Sequence, residues 1–304
     1  MIAALTGATG FLGGAVLERL LGEGHQVRAL TRRPQPERAG VTWIAGDLAD
    51  GKALASLVQG ADAVIHVAGA INVPNRAAFH AANAEGTRLL AETARHAGVE
   101  RFVLVSSLSA REPQLSDYGW SKREGEHMLV GVGLDWTIVR PPAIYGPGDH
   151  EMLEMFQMAA RGLVLLPPPG RLSIIHADDL AALLVKLAED RSGLTAGKIY
   201  EVDDGTPGGF THVGFAHALG RAAGRKARTL SLPRFVLMLG ARIDRAVRGA
   251  KAKLTPDRAR YFCHPDWVSS PDARVPDSLW HPEISAEAGL AATAAGYRAK
   301  GWLR

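Results

Sequence analysis

The segment SDYGWSKREGE, residues 116–126, places Tyr118 and Lys122 four positions apart. On a helix this spacing sets a phenol and an ammonium on one face, one turn apart. A phenol can hand a proton to an oxygen that is gaining charge. Its ordinary pKa of about 10 is too high for easy cycling at neutral pH, and a neighbouring ammonium, by favouring the phenolate, brings that value down. The pair is thus either an exposed ionic contact or a proton donor with the group that tunes it, and the surrounding elements decide between the two.

Those elements begin at the N-terminus. The apolar run IAAL (2–5) ends in TGATGFLGG, with Gly7, Gly10 and Gly13 spaced by three. Val16, Leu17, Leu20 and Leu21 then predict a helix over 14–22, closed by Gly24 and followed by the strand-like HQVRAL (25–30). Strand, glycine turn, helix and strand form one βαβ unit with a parallel pair. The alternation continues with strands expected at 41–46, 61–69, 101–107 and 135–141. Helices are expected at 54–60, over 77–97 as one long element, and from YGWSK to about 130. Near-continuous apolar strands alternating with helices predict an α/β fold, a doubly wound parallel sheet of the Rossmann kind. After about 145 the pattern loosens. The expected division is a dinucleotide-binding domain over 1–145, with segments near 172–204 returning to the sheet, and a smaller C-terminal substrate lobe over 146–304.

A glycine loop between a first strand and a first helix lets the backbone approach a pyrophosphate, with the helix N-terminus offering free N–H groups. A reader of NAD places an acid at the end of the second strand for the ribose 2′-hydroxyl. Here Arg32 and Arg33 follow Thr31, with no acid before Glu37. Guanidinium forks suit a 2′-phosphate, so NADP(H) is expected over NAD(H), the plain alternative being solvated loop arginines. With such a cofactor, hydride transfer to a carbonyl leaves an alkoxide that needs a proton. Tyr118 and Lys122 then acquire roles, and Lys122 could also hold the nicotinamide ribose. A hydroxyl to polarise the carbonyl is available from Ser106, Ser107 or Ser109, where the preceding strand ends. Strand C-termini are where a doubly wound sheet builds its site.

These motifs, in this order, resemble the short-chain dehydrogenase/reductase superfamily over roughly the whole chain. TGATGFLG resembles its cofactor loop, Asp47-Leu48 its adenine-contacting pair, HVAG (66–69) the strand end beside the cofactor, VSS (105–107) its serine site and YGWSK its YxxxK. RPPAIYGPGD and SIIHADDLA resemble the extended branch, the NAD-dependent epimerase/dehydratase group. The resemblance implies Tyr118 as acid/base, Lys122 as its tuner and Ser107 as the carbonyl-binding hydroxyl, with Ser109 in reserve because the Ser–Tyr loop is shorter than in sugar-nucleotide epimerases. It implies cofactor contacts from Gly7, Thr9, Gly10, Phe11, Leu12, Gly13, Asp47, Leu48, Ala68, Gly69, Tyr118, Lys122 and Pro141, beside the arginines. Asn83 falls where related enzymes often carry a supporting asparagine, Arg140 reads as a buried structural cation or as a substrate contact, and a homodimer is the assembly the superfamily suggests.

Composition limits the rest. The chain has 304 residues, is 47% hydrophobic and carries a net charge of +4. That excess lacks the dense basic cluster with interleaved aromatics of a nucleic-acid reader. A single cysteine, Cys263, excludes an internal disulfide framework, and no Cys/His spacing suggests zinc. No signal peptide and no membrane-spanning run are visible, so a cytoplasmic location is expected. The short Ser–Tyr loop and the apolar GLVLLPPPG favour an apolar ketone or alcohol as substrate. Residues 234–253 form a basic amphipathic pattern, with Phe235, Leu239, Ile243, Val247 and Ala250 on one face and Arg234, Arg242, Arg245, Arg248, Lys251 and Lys253 flanking it. It reads as a solvated lobe helix or as peripheral contact at the inner face of a membrane. LTPDRARYFCHPDWV resembles sterol dehydrogenase-like and keto-lipid (3-oxo-sphingoid or ceramide) reductase members of the extended group. Sugar-nucleotide epimerisation or dehydration is the alternative, and a non-catalytic NADP(H)-binding subunit is the third reading.

Overall fold

The computed structural model describes residues 1–249, 252 and 254–303. The chain opens with β1 (Ile2–Thr6), α1 (Phe11–Gly22), β2 (Gln26–Thr31), β3 (Val41–Ala45), α2 (Gly51–Val58) and β4 (Ala63–His66). It continues with α3 (Arg76–His80), a π-helical turn (Ala81–Glu85), α4 (Gly86–His96), β5 (Arg101–Val105), a 3₁₀ turn (Leu108–Arg111), α5 (Asp117–Val130) and β6 (Asp135–Arg140). There follow β7 (Ala143–Tyr145), α6 (Leu153–Arg161), β8 (Leu163–Leu166), β9 (Arg171–Leu172), β10 (Ile174–His176), α7 (Ala177–Glu189) and β11 (Lys198–Glu201). The remainder comprises β12 (Phe210–Thr211), α8 (His212–Ala222), β13 (Arg228–Ser231), α9 (Arg234–Arg248), α10 (Pro256–Phe262), β14 (Asp266–Trp267) and α11 (Ala286–Ala299).

Two compact units result: Met1–Pro141 with Ala177–Val202 and Asp272–His281, and Pro142–His176 with Asp203–Pro271 and Pro282–Arg304. The first unit holds a seven-stranded sheet in the order β11-β6-β5-β4-β1-β2-β3, every pair parallel. β4 and β5 are buried along their whole length, as strands covered on both faces must be. Leu54, Leu57, Val64, Leu90, Phe102 and Ile138 form the core of one face, while α1 and α7 pack together within the same unit. The strand order reverses between β1 and β4, with Thr6 in register with His66. At such a switch point the two connections leave in opposite directions and open a crevice at the strands' carboxyl ends.

The second unit is built from short strands around a separate core of Tyr145, Phe156, Phe215, Leu219, Leu290 and Tyr297. Its sheets have two or three strands each. Of its helices, α9 keeps only Ala241 buried. Ala250, Lys251 and Lys253, which the sequence pattern joined to that helix, lie outside the described residues.

The helix expected over 77–97 departs from expectation. It is α-helical at both ends, with the π-helical turn between. The turn lies against α5, where a Cβ at Gly125 would come within 2.3 Å of the Asn83 carbonyl oxygen. The missing side chain on α5 lets the widened turn press in at that point.

Candidate active site

The glycine loop is shaped by backbone contact. Gly7 adopts φ +79°, and a Cβ there would lie 2.8 Å from the Ala68 nitrogen. A Cβ on Gly13 would fall 1.9 Å from the Gly7 oxygen. A side chain at Gly7 would push against the backbone that follows β4, and one at Gly13 would push the first turn of α1 off the end of β1. Gly10 caps α1 without a side-chain hydrogen bond, and the first turn carries no acid. The helix start, at the exposed Thr9 and Gly10, thus has neither a capping side chain nor a first-turn acid on its N–H groups. This cradle fits a dinucleotide pyrophosphate. Phe11 is half-buried and Leu12 buried, so the hydrophobic pair anchors the helix start.

Arg32 and Arg33 follow directly on β2, both exposed. The Arg33 carbonyl accepts from Thr31 Oγ1 at 2.7 Å, which folds the backbone into a tight turn and leaves the guanidinium groups outside it. Asp47 accepts from the Ala49 nitrogen at 2.9 Å. Leu48 packs where Gly86 begins α4. Ala68 and Gly69 follow β4, and the Ala68 nitrogen donates to Thr6 Oγ1 at 3.1 Å.

From Thr6 a buried polar chain runs inward. Its hydroxyl meets His66 Nδ1 at 2.6 Å, and His66 Nε2 meets Thr87 Oγ1 at 3.0 Å. Thr87 Oγ1 also donates to the Asn83 carbonyl at 2.8 Å. The His66 ring is fully buried, and that burial, with the Lys122 charge as a lesser cause, pushes its pKa down to about 3. The ring is therefore neutral at physiological pH.

Asn83 stands on the π-helical turn. Its Oδ1 accepts from the Ala70 nitrogen at 2.7 Å, and its Nδ2 donates to the Ala70 oxygen at 2.9 Å and to Ser121 Oγ at 2.9 Å. One amide thus holds the loop after β4 to helix α5. On that helix Ser116 caps the N-terminus by accepting from the Gly119 nitrogen at 2.9 Å. The half-buried Tyr118 ring lies 6.0 Å from that of Phe79. One turn later Lys122 is buried, and its Nζ donates to the Val105 carbonyl at 2.7 Å. Desolvation, partly offset by the Glu126 carboxylate, pushes its pKa down to about 8. A Cβ on Gly69 would stand 3.5 Å from Lys122 Nζ, which places the end of β4 beside the same ammonium.

At the end of β5, three serines have three different partners. Ser106 Oγ donates to Glu126 Oε1 at 2.5 Å. Ser107 caps the 3₁₀ turn and is half-buried, whereas Ser109 is 1% exposed. Ser109 donates both its nitrogen, at 3.2 Å, and its hydroxyl, at 2.9 Å, to Ser107 Oγ. Both donors fill acceptor positions on Ser107 and leave its own hydroxyl hydrogen to be directed elsewhere. Pro141 follows β6, and its carbonyl accepts from the Leu108 nitrogen at 2.9 Å.

Beneath these groups Arg140 is a buried structural cation. It donates to Glu126 Oε1 at 2.8 Å and to Oε2 at 2.6 Å, with Glu201 3.7 Å away. Sequence reasoning missed Glu126 as well as the Thr6–His66–Thr87 chain. Glu126 sits four residues after Lys122, a spacing that was readable, while the partners of His66 come from elements far apart in the sequence. Elsewhere in the same unit, Glu23, His25 and Glu189 bring ligand-type atoms within 4.8 Å of one another. His25 is already engaged there by Glu189 at 3.0 Å and by the N-terminal ammonium at 3.1 Å.

The sequence profile of the NAD-dependent epimerase/dehydratase family matches residues 3–203. A ceramide reductase of Caulobacter vibrioides is 39% identical over 314 residues, covering 99% of this chain and 96% of that protein. A 2-alkyl-3-oxoalkanoate reductase of Stenotrophomonas maltophilia is 30% identical and covers 94% and 96%. Among solved structures, MoeE5 in complex with UDP-glucose and NAD superposes with a TM-score of 0.74 at 21% identity, covering 98% of this chain and 99% of that one.

Proposed function

The chain belongs to the NAD-dependent epimerase/dehydratase family and is an NAD(P)-dependent oxidoreductase, and on that premise we propose that it reduces the carbonyl of a long-chain keto-lipid, of the 3-oxo-sphingoid or ceramide kind, with NADP(H). The observation that carries the catalytic part is the buried Lys122, held on the Val105 carbonyl one turn from Tyr118. The substrate class is supported by the near full-length likeness to a ceramide reductase. A substrate of this kind partitions into lipid, so the reading includes peripheral contact with a membrane.

The cofactor, when bound, supplies the hydride. The residues proposed to hold it are the Gly7–Gly13 loop, Arg32, Arg33, Asp47, Leu48, Ala68, Gly69 and Pro141. Tyr118 gives its phenolic proton to the carbonyl oxygen as charge builds there, and solvent restores it. One of the three Lys122 N–H groups is committed to Val105, and the other two remain for the phenol and the nicotinamide ribose. An ammonium in so dry a place acts strongly on a neighbouring phenol, because little solvent screens it. Ser107 donates to the same carbonyl oxygen, and Ser109 orients it.

Screening long-chain keto-lipids, ketosteroids and UDP-sugars by NADPH oxidation tests the substrate class. Turnover confined to UDP-sugars would replace it with epimerase or dehydratase chemistry. On the best substrate Tyr118→Phe should cut turnover by about 10²- to 10⁴-fold, the usual worth of a general acid, and leave NADPH binding intact. Lys122→Ala should lose both turnover and cofactor affinity. A near wild-type rate for Tyr118→Phe would end the catalytic reading and favour a cofactor-binding subunit.

A further inference from the structure

The second unit carries an apolar surface that its own core does not use. On α9, Phe235 is 72% exposed, Leu239 57%, Ile243 55% and Val247 78%. Spaced by four, at about 3.6 residues per turn, they fall on one stripe running the length of the helix. Isolated exposed leucines are ordinary, but a stripe of this length on a helix with a single buried residue is not. Other large apolar side chains of the same unit are exposed as well. β13 ends three residues before α9, and its exposed Leu230 pairs in register with the exposed Leu165 of β8. Phe262, exposed on α10, comes from the helix that packs against α9.

The charges beside this stripe have one sign. Arg234, Arg242, Arg245 and Arg248 are all exposed. The one acid of the helix, Asp244, is turned to internal work, accepting from the Leu254 nitrogen at 2.9 Å and pairing with Arg248 at 3.2 Å. At 100° per residue Arg234 and Arg242 border the apolar stripe on one side, Arg248 borders it on the other beside Val247, and Arg245 lies opposite. A second copy of this chain docking on the same face would set arginine against arginine. A surface of lipid phosphates over acyl chains meets both features at once, phosphate oxygens taking the guanidinium groups while the stripe enters the apolar layer.

We propose that α9 is an interfacial helix that seats the enzyme on an anionic lipid bilayer. It lies in the plane of the surface, and no described helix is long and apolar enough to cross a membrane. The proposal deepens the membrane contact included in the keto-lipid reading, but it rests on the surface of the second unit, and its test needs no turnover.

The test is flotation of the full-length protein with phosphatidylcholine vesicles, with and without phosphatidylglycerol, at low and high salt. Wild type should float with the anionic vesicles and lose much of that binding in high salt. Leu239→Asp/Ile243→Asp, which removes the stripe, and Arg234→Glu/Arg242→Glu, which reverses one border, should each reduce the floated fraction at least tenfold. All four side chains are exposed, so melting temperature and NADPH binding should match wild type and show that the variants are folded. Wild type left unbound by every vesicle would overturn the proposal, as would variants that float like wild type. If light scattering instead finds a dimer that either variant dissolves, with no flotation, the face belongs to a second copy. Loss of the keto-lipid activity alone would leave the flotation result unaffected.

Discussion

Arg32 and Arg33 bear on a choice that family membership leaves open, between the two forms of the nicotinamide cofactor. Both guanidinium groups are exposed, at the end of the strand where an acid would select NAD. The expected outcome is tighter binding of NADPH than of NADH. Arg32→Ala/Arg33→Ala should weaken NADPH by about 1.5–3 kcal/mol, the worth of charged hydrogen bonds, and leave NADH unchanged. Fluorescence titration measures both, and equal affinities in wild type would end the idea. At this scale the candidate site was partly legible in the sequence. Tyr118 and Lys122 are local to one another, as are the glycines, so spacing alone could bring them together. His66 was read only as part of a strand end, because its partners Thr6 and Thr87 come from β1 and α4, and no short-range pattern records that meeting. Ser107 and Ser109 were separable only once their hydrogen-bond directions were visible.

Helix α5 is fixed to the sheet by a pairing that also governs the lysine it carries. Glu126 takes three hydrogen bonds, one from Ser106 at the end of β5 and two from Arg140 at the end of β6. Its carboxylate is the group that raises the Lys122 pKa against desolvation. Glu126→Gln keeps the shape and removes the charge, which leaves Arg140 with Glu201 alone. Urea unfolding should show a loss of about 3 kcal/mol, at the low end for breaking a buried ion pair, because Arg140 retains one acid. The pH profile separates this loss from a purely structural effect. With its carboxylate gone, Lys122 falls below about 8, so the alkaline limb of kcat/KM should move to lower pH. An unmoved limb would make Glu126 a structural brace only. The alternation of strands and helices, and so the doubly wound sheet, was legible from periodicity and glycine punctuation. The π-helical turn was not, since one additional residue in a turn leaves the apolar pattern of 77–97 almost unaltered.

For the whole molecule, acid stability should reflect one ring. The His66 pKa lies near 3 in the folded protein against 6.5 for the free group, chiefly because burial disfavours the imidazolium. The unfolded chain therefore binds a proton that the folded one refuses between those values. The stability this histidine contributes is complete above pH 6.5 and is lost as pH falls toward 3, by up to about 5 kcal/mol. Urea titrations across that window should show a steep decline in wild type. His66→Gln, which keeps hydrogen-bonding capacity without titrating, should flatten it, and parallel curves would assign the decline to other groups. At this scale the second unit was the least legible part. Its strands β9, β12 and β14 have two residues each, too few to show any period. They exist because distant segments meet, as in the antiparallel pairing of Phe210 with Leu172.

The π-helical turn also says something about which changes in chain length this enzyme can absorb. A π turn amounts to one residue inserted into an α-helix, so deleting one residue between 81 and 85 would let α3 and α4 merge into a single regular helix. Backbone hydrogen bonding would improve, and far-ultraviolet circular dichroism would register no damage. Yet the widened turn that brings Asn83 against α5 at Gly125 would be gone. The amide that joins Ala70 to Ser121 would then have no position to occupy. The segment can lose a residue and keep its helix, but it cannot do so and keep the clamp that holds the loop after β4 to the helix bearing Tyr118 and Lys122.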